Sequence, residues 1–317
     1  MNQHITKTAV NPKTYRTPSL FYRSAREGMQ DFLSQPQVLP SPEAGILLPA
    51  FIGWSPREGS GVYDPVRHLN LRAGFYDLNP DLTVNIEYLT AAIEQHRPRV
   101  LVVIHYYGRT EPQMQAVQTL AQQHGILLVE DLAHGFFSAH IGGRAGRFGA
   151  VNLYSLHKMF PTPKAEGGML SYRDTTLLTQ QKETAPELAR LVMDYDWAGI
   201  AQSRRRNFQT ITDQLKKLPG RGKDFELLWP DLALDDVPQT LPIRVLTGGR
   251  DHIYSTMNAE GYGMVSLYHT LIEPVQAFTD MVALSKSITN FPVHQDVDAE
   301  KLSGLVNAFQ HALDTRP

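Results

Sequence analysis

Side chains able to do chemistry gather in one segment of this chain, just after apolar runs. Asp131 and His134 follow the run ILLVE, and Ser155, His157 and Lys158 follow the run AVNLY. An aspartate after a buried strand is costly unless a cation or a hydrogen-bond donor meets it. A lysine at a neighbouring strand end can form a Schiff base with an aldehyde cofactor. These residue types therefore indicate a site for such a cofactor.

The same segment offers groups for the rest of a cofactor. Ser155 and His157 lie two residues apart on a predicted turn and can donate hydrogen bonds to a phosphate. Ala133 leaves room for a flat ring, and a protonated pyridine nitrogen is a suitable partner for Asp131. These are the requirements of pyridoxal 5′-phosphate (PLP). Taken singly, each residue also has a structural interpretation, such as a loop lysine, a helix cap or a packed histidine.

The elements that must position these residues alternate between apolar strands and helices. We predict helices in SLFYRSAREGMQDFLSQ, with its helical spacing through Phe21, and in IEYLTAAIEQH and EPQMQAVQTLAQQHG. Predicted strands cover residues 45–51, 72–78, 99–108 and 126–134, followed by AVNLYSLHK and EGGMLSY. Strands this apolar, separated by helices, indicate an α/β fold with a mostly parallel sheet covered on both faces. Ligands of such sheets bind at the carboxyl ends of the strands.

The pattern changes after Tyr172, which suggests a second domain. A helical region over 175–218 and a Gly/Lys linker precede strand-like runs at 241–248 and 263–271 and a final helix. We predict an N-terminal arm at 1–18, a large cofactor-binding domain at 19–200, and a small α+β domain at 201–317.

Composition excludes several classes of function. The chain has 317 residues, a formal net charge of −2 and no cysteine, which argues against nucleic-acid partners, disulfides and thiol chemistry. We find no glycine-rich dinucleotide loop, phosphate loop or serine-hydrolase elbow, and the histidines lack metal-ligand spacing, so no metal is predicted. No apolar run can cross a bilayer and no signal-type core begins the chain; we expect a soluble cytoplasmic protein without membrane contacts.

Several motifs in their order resemble one enzyme family. ILLVEDLAHG, HIGGRAGRFGAVNLYSLHK and EGGML resemble the DegT/DnrJ/StrS family of PLP-dependent aminotransferases, many of which aminate nucleotide-linked keto-sugars. SAREGM, LLPAFIGW and NFPVHQDV resemble further segments of that family, so the resemblance covers roughly the whole chain. It implies the fold type I architecture, like that of aspartate aminotransferase, in which a large domain with a mostly parallel sheet precedes a small α+β domain.

The resemblance also implies roles for the residues around the ring of the cofactor. Lys158 is the lysine that forms the Schiff base, and Asp131 pairs with the pyridine nitrogen. His134 contacts the phenolic oxygen or packs at the ring. Trp54 falls on the aromatic residue that stacks over the ring, with Phe51 as the alternative.

Other residues are implied to hold the phosphate. Ser155 falls on the phosphate-binding serine of the family. Ala25 and Arg26 fall on residues whose backbone amides hold phosphate at the start of a helix, where the helix dipole also favours an anion. Asn207, Tyr268 and His269 are weaker candidates for the pocket.

The spacing of the lysine departs from the family. Lys158 comes three residues after Ser155, whereas the family lysine comes five after, a position held here by Phe160. The related cysteine desulfurases place their lysine directly after the histidine, as this chain does after His157. Lys164 fits neither spacing and is predicted to be a loop charge.

The predicted reaction is transfer of an amino group from an amino-acid donor to a keto acceptor, with nucleotide-linked keto-sugars among the candidate acceptors. A homodimer is expected by resemblance. Two alternatives stay open. One is other PLP chemistry on this fold, such as a dehydratase, although family dehydratases carry histidine in place of the lysine. The other is a non-catalytic relative, which Ala25 favours because glycine is usual at that position, as does a family segment missing after EGGML.

Overall fold

A large twisted sheet forms the centre of the first part of the molecule. The structure is a computed structural model that describes residues 17–179, 181–297 and 299–316. The strands of this sheet are β1 Ser19–Tyr22, β2 Ile46–Pro49, β3 Ala73–Tyr76, β4 Val100–Ile104, β5 Leu127–Asp131, β6 Val151–Ser155 and β7 Gly168–Tyr172. Their order across the sheet is β1-β7-β6-β5-β4-β2-β3.

The pairing of these strands confirms the predicted fold class. Strands β3, β2, β4, β5 and β6 run parallel, while β7 is antiparallel to both β6 and β1. The parallel strands are nearly continuous apolar runs, as expected where helices cover both faces of a sheet. The helices of this part are α1 Ala25–Leu33, α2 Tyr63–His68, α3 Ile86–His96, α4 Met114–Gln123 and α5 Phe136–His140.

The first predicted helix begins later than its apolar spacing suggested. Phe21 belongs to β1 and pairs with Met169, so its assignment to a helix is wrong. Ser24 is the reason: its backbone is extended, and its hydroxyl accepts the amide of Glu27, which starts α1 at Ala25. The residues before the cap are therefore free to join the edge of the sheet.

A second, three-stranded sheet lies in the later part of the chain. It consists of β8 Phe225–Leu227, β9 Thr240–Val245 and β10 Ile288–Pro292, all antiparallel, in the order β10-β9-β8. The helices here are α6 Glu187–Asp194, α7 Trp197–Leu215, α8 Arg250–Ala259, α9 Thr279–Ser287 and α10 Leu302–Asp314. A separate apolar core joins α7, α8 and α10 to this sheet.

Two predictions about this later part compare differently with the structure. The strand predicted at 263–271 is wrong, because the segment makes only single bridges, from Val265 to Asn290 and from Leu271 to Gly53. The domain boundary at residue 200 stays a prediction. Helix α7 continues across that position. Residues 1–16 of the predicted arm lie outside the described residues.

The absence of some features can be stated for the described part of the chain. Across residues 17–179, 181–297 and 299–316, no helix combines the length and apolar character needed to span a membrane. In the same residues, no three histidine, aspartate or glutamate side chains gather as a metal-binding group would require.

Candidate active site

The carboxyl ends of β5 and β6 bring the two predicted key residues together. Asp131 is the last residue of β5 and pairs in parallel with Leu153 of β6. After β6, a single turn of 3-10 helix, Leu156–Lys158, turns the chain back over the sheet edge. The Nζ of Lys158 then lies 3.2 Å from the Nε2 of His134.

The buried carboxylate of Asp131 has few partners to offset the cost of removing its charge from water. It is 2% exposed and accepts one hydrogen bond among the described residues, from the Ala133 amide at 2.8 Å. Burial raises the pKa of Asp131, while that amide and the nearby charge of Lys158 act in the opposite direction. A second cation beside this carboxylate would therefore be bound favourably.

Lys158 and His134 each have a pKa below the ordinary range. Burial lowers the pKa of Lys158, and the carboxylates of Asp131 and Glu58 only partly oppose this effect. Burial also lowers the pKa of His134 far below its usual value, and the neighbouring Lys158 lowers it further. The imidazole is therefore neutral at pH 7, and the amine is easier to deprotonate than an exposed lysine.

The predicted phosphate-binding residues converge at the start of α1. Gly168 pairs with Ser155, and the start of α1 packs on Gly168 so closely that a Cβ there would collide with the amide of Ala25. The glycine thus allows α1 to approach the end of β6. The Ser155 hydroxyl lies 3.3 Å from the Nδ1 of His157, so both side chains face the same turn.

Arg26 contributes a side chain as well as its position at the helix start. Its guanidinium donates to the carbonyl of Glu58 and lies 3.4 Å from a carboxylate oxygen of Asp64. The first contact holds the loop over residues 55–60 against α1, and the second connects α1 to α2. The charge of Arg26 is also close enough to Lys158 to lower the pKa of that lysine.

Glu130 was not singled out from the sequence, and its role is structural: it anchors the glycine-rich hairpin beside the site. Its carboxylate accepts the amides of Gly146, Phe148 and Gly149 at 2.6–2.8 Å, and it lies 3.0 Å from the Nε2 of His105. These contacts pin the glycine-rich hairpin to β5. The pairing of a Glu-Asp strand end with a downstream glycine-rich run was the available signal for this arrangement.

Aromatic side chains form one wall near Asp131. The buried Phe51 stacks on Tyr268, with ring centroids 5.0 Å apart and planes 29° apart. Trp54 lies three residues further on and is 45% exposed, while its amide binds the Thr270 carbonyl at 2.9 Å. Of the two predicted stacking residues, Phe51 therefore lies in the wall and Trp54 lies at the surface.

Two of the weaker pocket candidates, Asn207 and His269, make their contacts in the later part of the chain. Asn207 donates to the carbonyl of His294 at 3.0 Å, in the later part of the chain. His269 packs edge-on against Tyr254, 5.0 Å between ring centroids. Lys164 is exposed on its loop.

The arrangement fits PLP on two observations. The Nδ1 of His134 is buried and has no hydrogen-bond partner among the described residues, so a polar ligand atom would satisfy it. Ala133 is half-buried directly after the Asp131 carboxylate, which leaves a small, accessible surface for a ring beside a group that favours a cation.

Comparison with known proteins finds similarity to one family over part of the chain. Residues 60–185 match the family model described as the DegT/DnrJ/EryC1/StrS aminotransferase family. Over this segment the chain is similar to the DegT/DnrJ/EryC1/StrS aminotransferase family. The matched segment contains every predicted residue from Asp131 to Lys158, whereas Ala25, Arg26 and Trp54 lie before it.

Curated relatives match over part of their length. Residues of this chain are 29% identical over 125 positions to the spore coat polysaccharide biosynthesis protein SpsC of Bacillus subtilis, covering 39% of this chain and 31% of SpsC. They are 32% identical over 104 positions to the L-glutamine:2-deoxy-scyllo-inosose aminotransferase of Streptomyces fradiae, covering 32% and 24%. The matches thus span no more than about a third of either relative.

Solved structures extend the likeness to nearly the whole chain at the level of fold. NtdA from Bacillus subtilis, solved with bound cofactor PMP, superposes with a TM-score of 0.74 at 17% identity, covering 94% of this chain and 73% of NtdA. PseC of Helicobacter pylori, an aminotransferase of pseudoaminic acid biosynthesis, gives 0.72 at 15% identity, covering 94% and 87%. The fold is therefore the fold type I architecture expected from the sequence.

Proposed function

We propose that this protein is a PLP-dependent aminotransferase that moves an amino group from an amino-acid donor to a keto acceptor. The observation that carries the proposal is the contact of Lys158 with His134 beside Asp131. This contact lies at the carboxyl ends of strands that belong to the segment matched by the family model. Each of these three groups has its pKa shifted mainly by burial, as is common where side chains hold or transfer protons.

The residues divide the binding of the cofactor between them. Asp131 would meet the ring nitrogen, His134 the phenolic oxygen, and Ala133 one ring face. Ser155 and His157 would bind the phosphate together with the amides of Ala25 and Arg26 at the start of α1, where the helix dipole favours an anion. When bound, PLP supplies an electron sink for negative charge that develops at the donor's α-carbon.

Lys158 would do the proton transfer. Its lowered pKa makes the unprotonated amine more available near neutral pH, and Nζ can then accept a proton and return it to another atom. The neutral His134 can accept a hydrogen bond from Nζ through Nε2 when its own proton lies on Nδ1. That contact would fix the position of the amine at the sheet edge.

The acceptor class is inferred from relatives and stays a proposal. The Streptomyces fradiae relative is named for L-glutamine and 2-deoxy-scyllo-inosose, and PseC for the biosynthesis of pseudoaminic acid. We propose a glutamine- or glutamate-type donor and a keto-sugar acceptor, with nucleotide-linked keto-sugars as the first to test. A homodimer remains a prediction from the resemblance, and a cytoplasmic location remains a prediction from the sequence.

Absorbance of the purified protein with added PLP tests the proposal. We expect a violet-region band that glutamate or glutamine converts to the amine form of the cofactor, and borohydride reduction should leave the cofactor covalently attached to Lys158 by mass spectrometry. Lys158→Ala should lose both signals. A protein that gains no band would contradict the proposal, while a band that no amino donor converts would favour the non-catalytic alternative.

A further inference from the structure

Tyr268 lies on a strained turn within the segment that the sequence had suggested to be a strand. Its φ is 59°, in the left-handed region that bulky L-residues rarely adopt. Such strain persists only where surrounding contacts impose it, and active sites and ligand-binding regions are among the places where it clusters. The backbone here therefore holds one aromatic side chain in a particular direction at a cost in stability.

The contacts that impose this conformation come from two sides. The hydroxyl of Ser285 donates to the Tyr268 carbonyl at 2.6 Å. The amide of Trp54 donates to the Thr270 carbonyl at 2.9 Å, which ties the turn to the loop after β2. The turn is thus a fixed part of the structure, and the direction of the Tyr268 side chain is set by its anchors.

The Tyr268 ring lies among side chains of the candidate site. Besides stacking on Phe51, it makes edge-on contacts with Tyr106 and Tyr107, each 5.4 Å between ring centroids. It also meets the His134 ring edge-on at 6.0 Å. His134 is the residue that contacts the amine of Lys158, so Tyr268 is one side chain away from the proposed reacting group.

The hydroxyl of Tyr268 is a hydrogen-bond donor at any physiological pH. Burial raises the pKa of this phenol well above its usual value, and the Asp131 carboxylate raises it further. The phenol therefore keeps its proton, close to the carboxylate that would pair with the cofactor ring.

We propose that Tyr268 contacts the bound ligands, with its ring forming the pocket wall beside His134 and its hydroxyl donating a hydrogen bond to cofactor or substrate. The inference rests on the proposed function and assigns to Tyr268 the main part of the aromatic role that the resemblance gives to Trp54. Trp54 is half in solvent at the rim. Tyr268 is fixed inside the aromatic wall.

Two substitutions distinguish the contribution of the Tyr268 ring from that of its hydroxyl. Tyr268→Phe keeps the wall and removes the donor, so we expect PLP affinity, measured by absorbance titration, or the KM for the amino donor to worsen by about two- to tenfold, as expected for one hydrogen bond. Tyr268→Ala removes the wall and should weaken PLP binding at least about tenfold. Trp54→Ala should weaken it less than Tyr268→Ala does, and the exposed Tyr88→Ala on α3 should leave it unchanged.

The outcomes distinguish this inference from the proposed function. If the unaltered protein gains no cofactor band, both fail. If the band forms normally and both Tyr268 variants titrate and turn over like Tyr88→Ala, only the assignment of Tyr268 is overturned. If Tyr268→Ala does not fold, Tyr268→Phe decides alone, because it preserves the packing: wild-type affinity together with wild-type KM would overturn the donor role.

Discussion

Two neighbouring carboxylates at the end of β5 have opposite surroundings. Glu130 receives three backbone amides and faces His105, and both side chains of this pair are 0% exposed. Burial alone would raise the pKa of Glu130, but these partners outweigh it and lower the pKa. Asp131 receives one amide among the described residues, and burial raises its pKa.

This difference separates a structural carboxylate from one that awaits a ligand. Successive residues of a strand point to opposite faces of the sheet, so Glu130 is directed to the hairpin side and Asp131 to the side of Lys158. A carboxylate whose hydrogen bonds are already made has little left to offer a ligand. A bound cation stabilises the charged form of a buried carboxylate whose pKa burial has raised.

The largest expected effect follows substitution of Asp131, the carboxylate with the fewer hydrogen bonds. Asp131→Asn keeps the size and an oxygen for the Ala133 amide but loses the charge that would hold the ring nitrogen protonated. We expect the rate of the half-reaction with the amino donor to fall by about a hundredfold or more. The cofactor-free protein should be at least as stable as wild type at pH 7, because the substitution removes a charge that burial disfavours.

Asp236→Asn is the matched control for that experiment. Asp236 is also a buried carboxylate with a pKa raised mainly by burial, and it accepts the Thr110 amide at 2.9 Å. Stopped-flow absorbance should show wild-type rates for this control. Equal rate losses in both variants would mean that Asp131 acts through folding alone.

Substitution of Glu130, whose carboxylate already receives three backbone amides, should affect stability instead of catalysis. Glu130→Gln removes the charge that meets the His105 ring and the hairpin amides, so these hydrogen bonds weaken and the free energy of unfolding should fall by about 1–3 kcal/mol at pH 7. The pKa of Glu130 is lowered on folding, so its stabilisation is complete above the unfolded value of about 4.3 and is lost as the pH falls through the folded value.

Urea unfolding at several pH values measures both parts of this prediction. The difference in stability between wild type and Glu130→Gln should be constant near neutrality and shrink in acid. A difference that grew in acid would contradict the assignment of Glu130 as the satisfied carboxylate. Near-normal PLP affinity of the folded variant would complete the contrast with Asp131.

How far the sequence predicts this molecule depends on how local each feature is. The parallel sheet could be predicted because its strands are continuous apolar runs, and the proximity of Asp131, His134 and Lys158 could be predicted because they follow neighbouring strand ends. Their roles stay predictions. The network around His105 was missed because it joins residues far apart in the chain. The glycine-rich run downstream of the Glu-Asp strand end signals the hairpin contact, but it does not point to His105.

The errors have the same physical origin. Residues 263–271 read as a strand because apolar residues recur in them, but the left-handed backbone at Tyr268 and the bonds to Trp54 and Ser285 come from tertiary contacts. Phe21 fitted a helical spacing, and only the cap at Ser24 reveals where the helix begins. Tertiary packing overrode the periodicity in both segments.

The smallest expected effect distinguishes the two lysines of one loop. Lys164 is exposed and adopts φ 58°, whereas the amine of Lys158 contacts the buried His134. Lys164→Ala should change the free energy of unfolding by no more than about 0.5 kcal/mol and leave the cofactor absorbance unaltered, as expected for a surface side chain. Loss of the absorbance in Lys164→Ala, with Lys158→Ala unaffected, would mean that the loop rearranges when the cofactor binds. Lys164 would then be the amine beside Asp131, and Lys158 would be the loop charge.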